Sequence, residues 1–119
     1  MGKTILTIGE TEYCVDSFTY SLNRPRGGSS GELNYLSVSL GIMGKNNLDV
    51  IMLKGTFNCV VSIYDESGIL FKRLEFEGAE IVSYSGNTSN QTSYFPSIQL
   101  EASTVRFDGV EACVKTGNE

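Results

Sequence analysis

Apolar side chains recur at every second position in run after run of this chain. Leu36, Val38, Leu40 and Ile42 alternate with Ser37, Ser39 and Gly41; Phe57, Cys59, Val61 and Ile63 do the same; Tyr94, Pro96, Ile98, Leu100 and Ala102 share one parity. Successive side chains of a strand point to opposite faces, so a period of two marks strands with one buried face. With 119 residues, such strands fit one domain, residues 1–119, with one core. The expected class is mainly β: an antiparallel two-sheet β-barrel or sandwich of about eight strands with one short α-helix.

The punctuation between the runs supports local connections. Residues 5–8 and 11–22 read as a hairpin around Gly9-Glu10. The second arm changes phase: Tyr13 and Val15 are odd, whereas Phe18, Tyr20 and Leu22 are even, which predicts a bulge near Asp16-Ser17. Residues 23–31, carrying Arg24-Pro25-Arg26-Gly27-Gly28, read as a long flexible loop, because Pro removes a ladder donor and Gly is costly to order. A two-turn helix is expected over residues 46–54. Asn46 or Asn47 can cap it, Asp49 suits its positive end, Leu48, Ile51 and Met52 share a face, and Gly55 can end it.

Asp65-Glu66-Ser67-Gly68 turns the Phe57 run back into residues 69–77. Gly78 then reads as a break before a further strand over 79–85, and 86–92 as a polar loop. Pro96 is expected to put its end of the next strand at an edge or bulge. Val105-Arg106-Phe107 and Val110-Glu111-Ala112 flank Asp108-Gly109 as a final hairpin, with residues 115–119 frayed.

Charge and chemistry exclude more than they suggest. Fourteen acids against nine bases give a net charge of −5, which opposes nucleic-acid binding. No stretch approaches the ~18 apolar residues of a membrane span, and the first ten residues lack a signal-peptide apolar core, so cytoplasmic synthesis is expected. The absence of His removes the commonest general base and metal ligand. No catalytic, cofactor or metal residues are expected. Asp65-Glu66 reads as turn chemistry, and Glu75 with Glu77 as the solvent face of a strand. Asn87-Thr88-Ser89 and Asn90-Gln91-Thr92 match the glycosylation pattern without a secretion signal, and Gly27 to Gly31 lacks the Lys and helix of a phosphate loop. Cys14, Cys59 and Cys113 form no CxxC pair and read as small buried hydrophobes in a reducing compartment. Arg24 and Arg26 could reach an acidic patch on a neighbouring subunit, a contact to which the planar guanidinium is suited.

Specific letters then narrow the reading. Leu6-x-Ile8-Gly9-x-x-Glu12-Tyr13-x-Val15, Phe18-x-Tyr20 and the Arg24-Pro25 loop with Gly27-Gly28 resemble the opening of Hcp-like tube proteins of type VI secretion systems, in the TssD form found in Bacteroidota. Val61-Ser62-Ile63-Tyr64, Leu70-x-Lys72-x-Leu74-Glu75-Phe76-x-x-Ala79, Val82-x-Tyr84-Ser85 and Ile98-x-Leu100-x-Ala102 follow in that family's order. The resemblance implies a non-enzymatic subunit of hexameric rings that stack into the inner tube of a contractile injection machine. It implies partners in sheath, tube-tip and effector proteins, and export through the apparatus without a signal peptide. Arg24, Pro25, Arg26, Gly27 and Gly28 would form the inter-subunit or ring-stacking loop. A monomeric β-sandwich binding carbohydrate or a peptide strand is the alternative left by the residues alone.

Overall fold

The computed structural model describes residues 2–24, 31–43, 47–86 and 96–114. Nine strands and one helix run through them: β1 (Lys3–Ile8), β2 (Thr11–Asn23), β3 (Glu32–Leu33), β4 (Tyr35–Ile42), α1 (Leu48–Lys54), β5 (Phe57–Tyr64), β6 (Leu70–Ser85), β7 (Ser97–Glu101), β8 (Thr104–Phe107) and β9 (Val110–Val114). The order of pairing is β3-β9-β8-β6-β5-β1-β2-β4-β7, and a further β6 to β7 ladder closes the run from β6 to β7 on itself. The result is a six-stranded antiparallel barrel from which β8, β9 and β3 extend as a flange.

Alternation decides which face goes inward. In β4, Leu36, Val38, Leu40 and Ile42 are all buried, and in the adjacent β7 Ile98 and Leu100 lie beside Leu40 and Val38 on the same inward face. Leu6, Val61, Leu74, Phe76 and Val105 complete the centre of the core. Full burial of side chains of this size stabilises by about 1.5–3 kcal/mol each. In β2 the register shifts between Val15 and Ser17, the bulge that the change of parity required.

Strand β6 is the main departure from expectation. It does not break at Gly78: sixteen residues run continuously from Leu70 to Ser85. Gly78 has φ 60°, and the register against β5 shifts between Phe57 and Cys59 where that strand faces Ala79 and Phe76. A bulge absorbs one residue without ending the strand, and Gly supplies the left-handed conformation for it. The same site divides β6 by partner, with Leu74 to Glu77 paired to β8 and Glu80 to Ser85 paired to β7.

Pro96 also differs from expectation. Strand β7 is not an edge, since it pairs with β4 and β6. Pro96 precedes its first residue, where a missing N–H costs no ladder bond, and its carbonyl accepts the Ile42 N–H at 2.8 Å. The polar segment 87–92, Tyr94 and the tail 115–119 lie outside the described residues.

Helix α1 sits on the core through Leu48, with Ile51 and Met52 packed behind it. Asn47 occupies the cap position without a side-chain capping bond, because its Oδ1 accepts the Tyr13 hydroxyl at 2.8 Å instead. Asn46, the other candidate cap, is outside the described residues. Gly55 ends the helix at φ 104°. At the last hairpin, Asp108 and Gly109 have φ 51° and 90°, the two-positive-φ turn that Asp-Gly favours.

The cysteines separate by parity. Cys59 is buried, but Cys14 and Cys113 are exposed and all three are free, which corrects the expectation for two of them. Tyr13 and Val15 take the inward positions of β2, so Cys14 between them faces out. Cys113 lies on the flange opposite Thr104.

Candidate functional site

The chemistry of this chain lies on its surface, where the flange joins the barrel and where strand β2 outruns its neighbour. Three strands build the first region. Arg106 of β8 bonds Glu77 of β6 and reaches Glu111 of β9 at 2.8 Å, while Arg73 pairs with Glu75 at 3.3 Å. The hydrogen bond that Arg106 donates to Glu77 is the main cause holding its guanidinium above its ordinary pKa. Glu75 and Glu77 border a shallow depression with Thr7, Gly9, Asn58 and Arg106. Both carboxylates there face arginines: Arg106 joins Glu77 of β6 to Glu111 of β9 and so bridges three strands, while Arg73 and Glu75 pair within β6. Among the described residues no three His, Cys, Asp or Glu side chains group as metal ligands would.

The hairpin turn that follows is fastened to β6. Asp108 Oδ1 accepts the Arg73 N–H at 3.0 Å, and its other oxygen lies 3.1 Å from Lys72 Nζ. These contacts, the Arg73 backbone bond first and Lys72 next, hold its carboxyl below the usual carboxylate range. Lys72 also stands 5.9 Å from the centre of the Phe107 ring. Tyr20 packs against Phe107 at 5.8 Å and against Phe18 at 5.3 Å, so an aromatic row ties the far half of β2 to β8.

That far half defines the second region. Strand β1 covers β2 only from Thr11 to Val15, whereas β4 accompanies it to Asn23. Beyond Val15 one edge of β2 has no strand partner among the described residues. Arg24, at the end of this arm, is exposed; Pro25, Arg26, Gly27 and Gly28, the other residues expected in a contact loop, lie outside the described residues. On the far side of that loop the chain is tied down, since Gly31 carbonyl accepts the Cys113 N–H at 2.8 Å and β3 pairs with β9 in parallel.

An exposed apolar run that the alternating pattern did not mark lies where β6 begins, just after the turn at Asp65 to Gly68. Ile69, Leu70 and Phe71 are exposed to 63%, 48% and 72%. Three adjacent apolar residues in this state are a departure from singly scattered surface apolar residues. Their signal was present as a run of apolar letters straight after Gly68.

Among the described residues, a closed antiparallel barrel with a flange grown from one wall strand and one short helix defines a class of small β-barrel domains. Within that class the fold is the one seen in Hcp proteins. Hcp1 from Flavobacterium johnsoniae superposes with a TM-score of 0.74 at 20% identity, covering 93% of this chain and 98% of its own. Hcp1 from Salmonella typhimurium gives 0.67 at 16% identity over 89% and 85%. A component of the six-fold symmetrised baseplate of the anti-feeding prophage gives 0.52 at 15% identity over 92% and 93%. Neither a family model nor a curated protein sequence matches the chain.

Proposed function

We propose that this chain is a structural, non-enzymatic subunit of the inner tube of a type VI or related contractile secretion apparatus. It forms homo-oligomeric rings, six subunits in each, that stack and carry effectors. Sheath, tube-tip and effector proteins are its further partners. The chain is made in the cytoplasm and leaves through the apparatus itself. The observation that carries this reading is the end-to-end match of fold, with nearly the whole of this chain and nearly the whole of the Flavobacterium Hcp1 chain in register. The exposed apolar run Ile69 to Phe71 at the start of β6 and the uncovered arm of β2 support it, as surfaces that a monomer does not need.

The test is the native mass of the purified chain by light scattering after size separation, across concentration and salt. A species near six chains is the expected result. A monomer at every concentration refutes self-assembly and leaves the binding-module alternative. Stacking lost at high salt, and lost in Arg24→Ala, would place the loop between rings.

A further inference from the structure

The far half of β2, then β4, β7 and the end of β6 share one outward wall of short polar side chains. Register fixes its rows. Thr19 lies beside Ser39, Ser39 beside Gln99, and Gln99 beside Ser83; in the next row Ser17, Gly41, Ser97 and Ser85 follow in the same order. Ser39 and Gly41, in mid-sheet, are half-buried and the other six are exposed. A Cβ on Gly41 would stand 2.7 Å from Ser17 Oγ, so the strands meet closely here without a larger side chain between them. None of these residues is charged. Val82 is an apolar exception, at the β6 bulge between Ile81 and Ser83, and carboxylates enter at the border, where Glu80 lies opposite Glu101.

The other side of the barrel differs in kind. Its circuit runs β6-β5-β1-β2-β4-β7, so β5 stands diametrically across from β4. Beside β5, the outward face of β6 carries the ion-paired Arg73 and Glu75, and Glu77 with its partner Arg106 on β8. The uncharged wall does not suit a stable protein contact, whose buried centre is rich in aromatic residues and poor in Ser. Nor is it ordinary solvated surface, where charges of both signs are interspersed. Short hydroxyls and amides hold water, so a polypeptide beside them meets bridging waters instead of a fixed charge or an apolar anchor.

We propose that this hydroxyl wall faces the lumen of the ring, where cargo polypeptides meet it through water whatever their charge, and that the charged wall at β5 faces outward. This rests on the ring-forming reading above. Copies in a closed ring are related by rotation about one axis, so every copy turns the same wall towards it. A charge on that wall is therefore repeated once per copy around a confined space, where it holds cargo of the opposite sign and repels cargo of its own. Side chains such as Thr19, Ser39, Gln99 and Ser83 do neither.

The experiment uses the full chain with Cys14→Ser and Cys113→Ser, which leaves the buried Cys59 as its one native thiol. Gln99→Cys is added in one variant and Glu75→Cys in another, with circular dichroism and native mass confirming fold and assembly; Ser97→Cys takes the place of Gln99→Cys if that variant does not fold. Assembled rings are labelled with maleimide-coupled gold and viewed end-on by electron microscopy. Gold in the central opening for Gln99→Cys and at the rim for Glu75→Cys is the expected result. Gold at the rim for Gln99→Cys overturns the assignment while the tube reading stands. So does a Gln99→Cys thiol that labels in the monomer and not in the ring, because the wall then lies between copies. In a second measurement, Gln99→Lys rings are expected to bind fluorescent polyglutamate at low salt about tenfold more tightly than Glu75→Gln rings, which change the net charge equally. Equal binding overturns the claim that cargo meets this wall. If the unmodified chain is monomeric throughout, both readings fail together.

Discussion

Replacing Gly78 with alanine tests whether the bulge of β6 is a built feature of this barrel. Two separate costs follow from the geometry. Gly78 has φ 60°, and holding a residue with a Cβ in the left-handed region costs roughly 1–2 kcal/mol. The added Cβ would also lie 2.4 Å from Ser103 Oγ. That hydroxyl must swing away, and with it goes its bond to the Glu77 carbonyl at 3.1 Å, worth about 1 kcal/mol. The total is about 2–3 kcal/mol, which at a urea slope of about 2 kcal/mol/M lowers the unfolding midpoint by about 1–1.5 M. Combining Gly78→Ala with Ser103→Gly should return about 1 kcal/mol as a coupling term in the double-mutant cycle, because the clash vanishes and the φ cost remains. A loss below about 0.5 kcal/mol for Gly78→Ala would refute the reasoning. So would a cycle with no coupling, which would show that Ser103 does not crowd the site.

Other measurements reach other parts of the molecule. Burial pushes the Cys59 thiol from 9.0 up to about 12. Between those values the unfolded chain releases a proton that the folded chain retains, so stability falls as pH rises through this window. Urea unfolding at pH 8 and pH 10.5 should show the unmodified chain losing about 2 kcal/mol more than Cys59→Ala; equal losses would refute burial as the cause. A thiol reagent at high dilution should label Cys14 and Cys113 in the folded chain and Cys59 only after unfolding. Tyr13→Phe, which removes the hydroxyl donated to Asn47, should destabilise by about 1 kcal/mol and show as faster amide exchange in α1 than elsewhere.

Much of the fold was legible wherever one residue's position depended only on its neighbours in sequence. The β2 bulge could be read because parity changes between Val15 and Phe18, and the Asp108-Gly109 turn because few residues accept two positive φ values. Gly78 was ambiguous in principle, since the same conformational freedom serves a turn that ends a strand and a bulge that prolongs it. What decides is Glu77 facing Thr104 and Ser103 bonding back to Glu77, contacts some two dozen residues away. The exposure of Cys14 was legible from its buried neighbours Tyr13 and Val15; the general habit of buried cysteines pointed the wrong way. Strand β3 is a two-residue pairing with no periodicity to detect. The ion pairs of Arg106 with Glu77 and Glu111, and the uncovered arm of β2, need the register of three strands and the relative lengths of β1 and β2. Composition marked residues 23–31 as a contact loop, of which residues 25–30 lie outside the described residues.

The unbroken course of β6 has a mechanical consequence. One backbone belongs at its start to the sheet that includes the flange and at its end to the barrel wall, held by β5, β8 and β7 in antiparallel ladders. A pull along that strand therefore loads its ladder bonds sideways and together, in shear, instead of opening them one after another like a zip. A thrust applied to the flange passes across the β8 ladder to β6 and then along that one backbone into the wall.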